Sequence, residues 1–69
     1  MDWIAGNSSN IERFKYDATN QVLTVEFKNG GVYNYFDVIE SVFEEMKSAG
    51  SRGQYLAERI KGTYRYARA

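Results

Sequence analysis

A chain of 69 residues with no cysteine, no histidine and 9 basic against 9 acidic side chains has room for one domain, which buries only about 60% of the surface its unfolded form exposes. The missing thiol and imidazole exclude a thiolate nucleophile, a base poised near neutral pH and a zinc site of the usual N/S type, so no catalytic residue, metal or cofactor is assigned and a non-enzymatic role is expected. Domains this small draw on disulfides, a metal or self-association, which leaves dense aromatic packing, from six Tyr, four Phe and one Trp, together with a homo-oligomer.

Met1-Asp2-Trp3-Ile4 has an acidic residue where a signal peptide needs basic ones, and no apolar run of spanning length follows; a cytoplasmic protein without a membrane partner is expected. Residues 1–10 read as a lead-in whose polar tail, Gly6-Asn7-Ser8-Ser9-Asn10, cannot sustain a helix or strand, and in which Trp3 and Ile4 dock on the core or at a subunit interface. From Ile11 to Asp17 the chain alternates at period two, predicting a strand with Phe14 and Tyr16 on one face and Arg13 and Lys15 on the other. Asp17-Ala18-Thr19-Asn20 is a turn; it resembles the opening of a calcium loop, but the later carboxylates and the glycine are missing. A second strand, Gln21 to Lys28, sends Leu23, Val25 and Phe27 inward and Val22, Thr24 and Glu26 outward.

Asn29-Gly30-Gly31 between two β-rich runs is a hairpin signal, because these residues tolerate the positive φ of a tight reversal. Its closure decides where Tyr33 and Tyr35 point, since a slip of one residue exchanges the faces of a strand. A two-residue loop of Asn29 and Gly30 sets the tyrosines beside Glu26 and Thr24, on the outer face. A loop with Gly30 in a left-handed bulge puts Phe27 opposite Gly31, Tyr33 beside Val25 and Tyr35 beside Leu23; a loop of Asn29, Gly30 and Gly31 gives the same face. Two of these three registers bury the rings, and one exposes them as an aromatic platform.

The third strand, Val32 to Phe36, completes an antiparallel meander. Asp37 and Glu40 form a capping box for a helix whose stripe of Val38, Ile39, Val42, Phe43, Met46 and Ala49 covers the sheet, while Glu40, Glu44 and Glu45 make a solvated face. Gly50 ends this helix in the left-handed position. Ser51 and Gln54 cap a second helix, roughly Arg52 to Lys61, that buries Tyr55, Leu56 and Ile60 and stops at Gly62. The predicted fold is α+β: three strands followed by two helices on one face, βββαα, with a tail able to add a short edge strand.

Charge is distributed unevenly: residues 1–46 carry a net −5 and residues 47–69 a net +5. The two halves either attract each other or offer the C-terminal part to an anion. Candidate ligand contacts are Arg52 and Gly53, where a phosphate could approach the free amides of the second helix, and Arg59, Lys61 and Arg65 for phosphates. Tyr64 and Tyr66, which alternate with arginines in the tail, and Tyr33 and Tyr35 are candidates for stacking on bases.

Six stretches in order, Ser8-Ser9-Asn10-Ile11, Tyr16-Asp17, Leu23-Thr24-Val25-Glu26-Phe27, Gly31-Val32-Tyr33-Asn34-Tyr35, Ser51-Arg52-Gly53-Gln54-Tyr55 and Ile60-Lys61-Gly62-Thr63-Tyr64, resemble the KTSC domain. The likeness covers about residues 7–66 of a single domain over 1–69. At Ile39 the chain departs from the family, which often has a proline there. KTSC domains occur at the C-terminus of some lysyl-tRNA synthetases and alone in bacterial and phage proteins, so the resemblance implies an RNA or small-nucleotide partner, which in a phage protein would mean sequestering a nucleotide signal. The competing expectation is a protein-interaction or homo-oligomerisation module with no nucleotide ligand, because aromatics and arginine are enriched at protein interfaces too.

Overall fold

The computed structural model describes residues 2–69, with β1 (Ile4–Ala5), β2 (Ile11–Asp17), β3 (Val22–Phe27), β4 (Val32–Tyr35), α1 (Glu40–Ser48), α2 (Arg52–Tyr55) and β5 (Tyr66–Arg68). α2 runs on into a π-helical turn, Leu56–Ile60, marked by the bond from the Lys61 amide to the Leu56 carbonyl. The α+β class is as predicted, but the sheet is larger: five antiparallel strands in the order β1-β2-β3-β4-β5. The tail supplies β5 beside β4, and the start of the lead-in, ahead of its polar stretch, supplies a strand not among the three predicted, β1, with Ile4 opposite Phe14. Two apolar side chains suffice to dock so short a segment once β2 offers its open edge.

β2 and β3 pair along their length with a bulge between Ile11 and Arg13. The extra residue lets Ile11 share the core face with Phe14 and Tyr16, which strict alternation would forbid. At the β2–β3 turn Asp17 accepts the amides of Thr19 and Asn20 and the Asn20 side-chain amide; these bonds, the side-chain one foremost, hold its carboxyl below the usual carboxylate range. The β3–β4 hairpin takes the register with Val25 opposite Tyr33 and Leu23 opposite Tyr35. Gly30 stands at φ +97, and the Phe27 amide bonds to the Gly31 carbonyl, as a left-handed bulge requires.

Two predicted helix boundaries are corrected. Asp37 caps nothing: it adopts φ +61, a conformation Asp tolerates better than most residues, and its carboxylate faces Arg65 at 3.4 Å. The Val38 amide is held by the Gln21 carbonyl, so the chain stays extended through Ile39 and the helix begins at Glu40 without a side-chain cap. Ile39, counted in the buried stripe, is therefore 51% exposed. At the other end Ala49 is extended and Gly50 is not left-handed, so α1 closes by a direct change to extended backbone. Ser51 does accept the Gln54 amide, but the Gln54 side chain turns to Glu58, leaving half a capping box. Gly62, at φ +80, follows the end of the π turn.

The helices lie on one face of the sheet. Val38, Met46, Leu56 and Ile60 are fully buried against Ile11, Phe14, Leu23 and Val25. Phe43 stacks on Tyr16 at 4.7 Å and meets Phe14 edge-on at 6.1 Å. The Tyr16 hydroxyl donates to the Val38 carbonyl, satisfying the one polar atom of a buried ring; burial, with Glu40 and Asp17 adding to it, pushes its pKa up. On the other face Trp3 lies against Arg13 and Lys15, whose charges stand 4.1 and 4.6 Å from its ring centroid.

Candidate functional site

Opposed residues of antiparallel strands share a face, so the pairs Leu23–Tyr35, Tyr35–Tyr66, Val25–Tyr33 and Tyr33–Arg68 carry the core face across β4 to β5. Tyr35 is buried there and Tyr33 half-buried, while Tyr66 is 61% exposed. Beyond the helices this face opens into a groove of about 740 Å³, within the range of ordinary small-molecule sites. Its floor is aromatic: Tyr33 meets Phe27 at 5.7 Å and Tyr66 at 5.8 Å, and Tyr35 meets Tyr66 at 5.9 Å. Burial, with the neighbouring Tyr33 and Tyr66, raises the Tyr35 pKa.

The rim is cationic and amidic. Lys28 from the hairpin and Lys61 from the end of the π turn line it, with Asn10 and Asn29, and among the described residues no Asp or Glu does. The Lys61 ammonium sits 5.0 Å from the Phe27 ring centroid, and the Arg68 guanidinium 5.8 Å from that of Tyr33. A positive rim over edge-on and tilted rings offers aromatic contact to a flat group and ammonium groups to an anion.

Of the residues singled out from sequence, Tyr33, Tyr35, Lys61 and Tyr66 come together in this groove. The others lie elsewhere. The Arg52 guanidinium donates to the Lys47 and Ala5 carbonyls, tying α1 to β1. Gly53 is buried against Ser8 and Asn10 and lines a separate hollow of about 430 Å³. Arg59 is exposed on the π turn, Tyr64 packs against the core, and Arg65 faces Asp37 with its guanidinium 5.4 Å from the Phe36 ring centroid.

Sequence reasoning missed Phe27, Lys28, Asn10 and Asn29 as groove residues. The first carried a signal, since the register that turns Tyr33 inward also places Phe27 on that face. Asn10 carried none; it arrives through the bond of the Lys28 amide to its carbonyl. Among the described residues no helix is long and apolar enough to cross a membrane.

The KTSC domain family matches residues 7–64. A lysine–tRNA ligase of Trichormus variabilis is 47% identical over 56 residues, which are 81% of this chain and 10% of the ligase; the chain thus spans about a tenth of the length of such relatives. A protein of Stutzerimonas stutzeri is 35% identical across 99% of this chain and 97% of its own length. The crystal structure of a KTSC domain protein from Yersinia pestis superposes with a TM-score of 0.94 at 29% identity, covering 99% of this chain and 96% of that one.

Proposed function

The chain belongs to the KTSC domain family, and from that premise we propose that it is a non-enzymatic binding module for RNA or small nucleotides, with the groove between the β3–β4 hairpin, β5 and the end of the π turn as its site. The observation that carries this reading is a groove lined by Phe27, Tyr33, Tyr35 and Tyr66 with Lys28 and Lys61, and by no Asp or Glu among the described residues. Stacking is worth about 1–3 kcal/mol per base and tolerates any base, because each has a π face; a lysine binds a phosphate as a point charge. The size favours a nucleotide or short single strand, and zero net charge argues against a long duplex. The match to lysine–tRNA ligases, whose name gives tRNA as a substrate, supports the same ligand class. Lack of His and Cys supports binding over catalysis, and lack of Cys accords with a cytoplasmic setting.

Titration calorimetry with mixed short RNA and with mononucleotides, beside native mass spectrometry of the purified protein, tests the reading. Lys61→Ala and Tyr66→Ala are expected to weaken binding and Arg59→Ala to leave it unchanged. A folded protein that binds none of these ligands at low salt overturns it. A second reading, self-assembly, is favoured by the outer edge of β5 and by the exposure of Tyr66 and Ile39.

A further inference from the structure

β5 ends the sheet on one side, and all of its residues are exposed. The Phe36 amide bonds to the Arg65 carbonyl and the Ala69 amide to the Val32 carbonyl, so these residues of the tail turn their backbone groups toward β4. Along an antiparallel strand the backbone groups point alternately to one neighbour and the other. Arg65, Ala67 and Ala69 therefore face β4, while Tyr66 and Arg68 direct an N–H and a C=O outward, where no further strand follows among the described residues. Such an edge is open to pairing with another chain.

The edge is complementary to itself in one register. Hydrogen-bonded pairs between two antiparallel copies must be drawn from Tyr66 and Arg68 of each. Setting Arg68 opposite its own copy brings like charges together. Setting Tyr66 opposite its own copy makes Tyr64 the next pairing position, and the Tyr64 amide is already held by the Ile60 carbonyl. Pairing Tyr66 with the partner's Arg68 forms two hydrogen-bonded pairs, one on each side of a two-fold axis at Ala67, and sets each guanidinium against a tyrosine instead of another charge. Resting on the nucleotide reading above, we propose that the protein dimerises through β5 in this register and that each groove is completed by the partner's Arg68. Opposed residues share a face and Tyr66 lines the groove, so the partner's Arg68 joins Lys28 and Lys61 as a cation for the phosphate of a nucleotide. So short an edge makes a weak dimer by itself; a ligand that touches both copies strengthens it by the factor by which dimerisation strengthens binding.

The chain has no cysteine, so introduced thiols test the register. In it Ala67 meets its copy as a non-hydrogen-bonded pair with Cα atoms about 4.5 Å apart, within disulfide reach, whereas Arg65 lies about 14 Å along the strands from its copy. Both are exposed, on the face away from the groove. Mild oxidation should link Ala67→Cys into a dimer and leave Arg65→Cys unlinked; linking of both alike, or of neither, overturns the pairing. Calorimetry with GMP and with mixed short RNA then compares oxidised with reduced Ala67→Cys, at concentrations where sedimentation shows the reduced form to be a monomer. The locked dimer is expected to bind about tenfold more tightly. In an Arg68→Ala background that gain should vanish, the loss of each chain's own Arg68 cancelling between the two forms. A locked dimer with the monomer's affinity, or a gain that survives Arg68→Ala, overturns the shared site and leaves the nucleotide reading standing. Absence of binding by both forms removes both.

Discussion

Gly53 lies in contact with Asn10: a Cβ at residue 53 would stand 2.5 Å from Asn10 Oδ1 and 2.6 Å from Ser8 Oγ. Those two atoms are hydrogen-bonded to each other, and neither can retreat without giving up that bond or the amides of Asn10 and Ile11 that Ser8 Oγ accepts. The start of α2 is thereby packed closely against the loop before β2, and the loop is bonded to the hairpin through the Lys28 amide.

Gly53→Ala is accordingly expected to destabilise the fold by about 1–2 kcal/mol, the overpacking cost exceeding the gain of about 1 kcal/mol in helix propensity. Gly6→Ala should cost more, about 3 kcal/mol, because its Cβ would stand 2.1 Å from the Ile11 carbonyl oxygen, a backbone atom. Urea denaturation of both variants checks the order; a Gly6→Ala protein as stable as the parent would refute it.

Truncating Phe43 to Ala removes the ring stacked on Tyr16 and set against Phe14. The expected loss is about 3–5 kcal/mol, a large share of what so small a core supplies. Thermal unfolding by circular dichroism should show either a much lowered midpoint or no cooperative transition.

The Tyr55 hydroxyl donates to Glu45 at 2.8 Å, and desolvation, followed by that bond and the Glu45 charge, pushes its pKa up to about 12. A raised phenol pKa means that the fold prefers the protonated ring, so this contribution is complete below pH 10 and is lost as pH rises through the folded value. Stability should therefore fall between about pH 10 and 12. Tyr55→Phe should flatten that fall and remove a late component from the phenolate absorbance titration.

If Lys28, Lys61 and Arg68 neutralise about three phosphates of a bound single strand, the log–log salt dependence should have a slope of about −2, from roughly 0.7 per phosphate. Lys61→Ala should flatten it, and Tyr66→Ala should lower affinity by about 1–3 kcal/mol with the slope unchanged. Arg65→Ala should alter neither, since that guanidinium faces Asp37 outside the groove. A slope that responds to Arg65 and not to Lys61 would move the phosphate path to the outer end of β5.

Sedimentation at tens of micromolar is expected to show a species above the 8.0 kDa monomer, formed through the β5 edge with Tyr66 at its centre. Tyr66→Lys should return it to monomer by placing a charge on that edge. A monomer throughout the range would leave the small core self-sufficient.

What the sequence determined by itself was local. Alternation marked β2, β3 and β4, because a half-buried strand needs period two, and the apolar spacing marked α1. Gly30 and Gly62 appear where positive φ is needed, and the Ser51 hydroxyl accepts the amide three residues on. The hairpin left three registers open, and the tertiary fold chose among them: Phe27, Tyr33 and Tyr35 face inward, where Tyr33 packs on Phe27 and both tyrosines on Tyr66. Long-range partners likewise overruled local preference at Asp37, where the Val38–Gln21 bond delays the helix, and at Ile4, where β2 turns a two-residue segment into a strand. The groove belongs to this second kind of information. Asn10, Lys28 and the C-terminal pair Lys61 and Tyr66 come from three separate parts of the chain, and their meeting is set by long-range pairing such as the bond of the Lys28 amide to the Asn10 carbonyl.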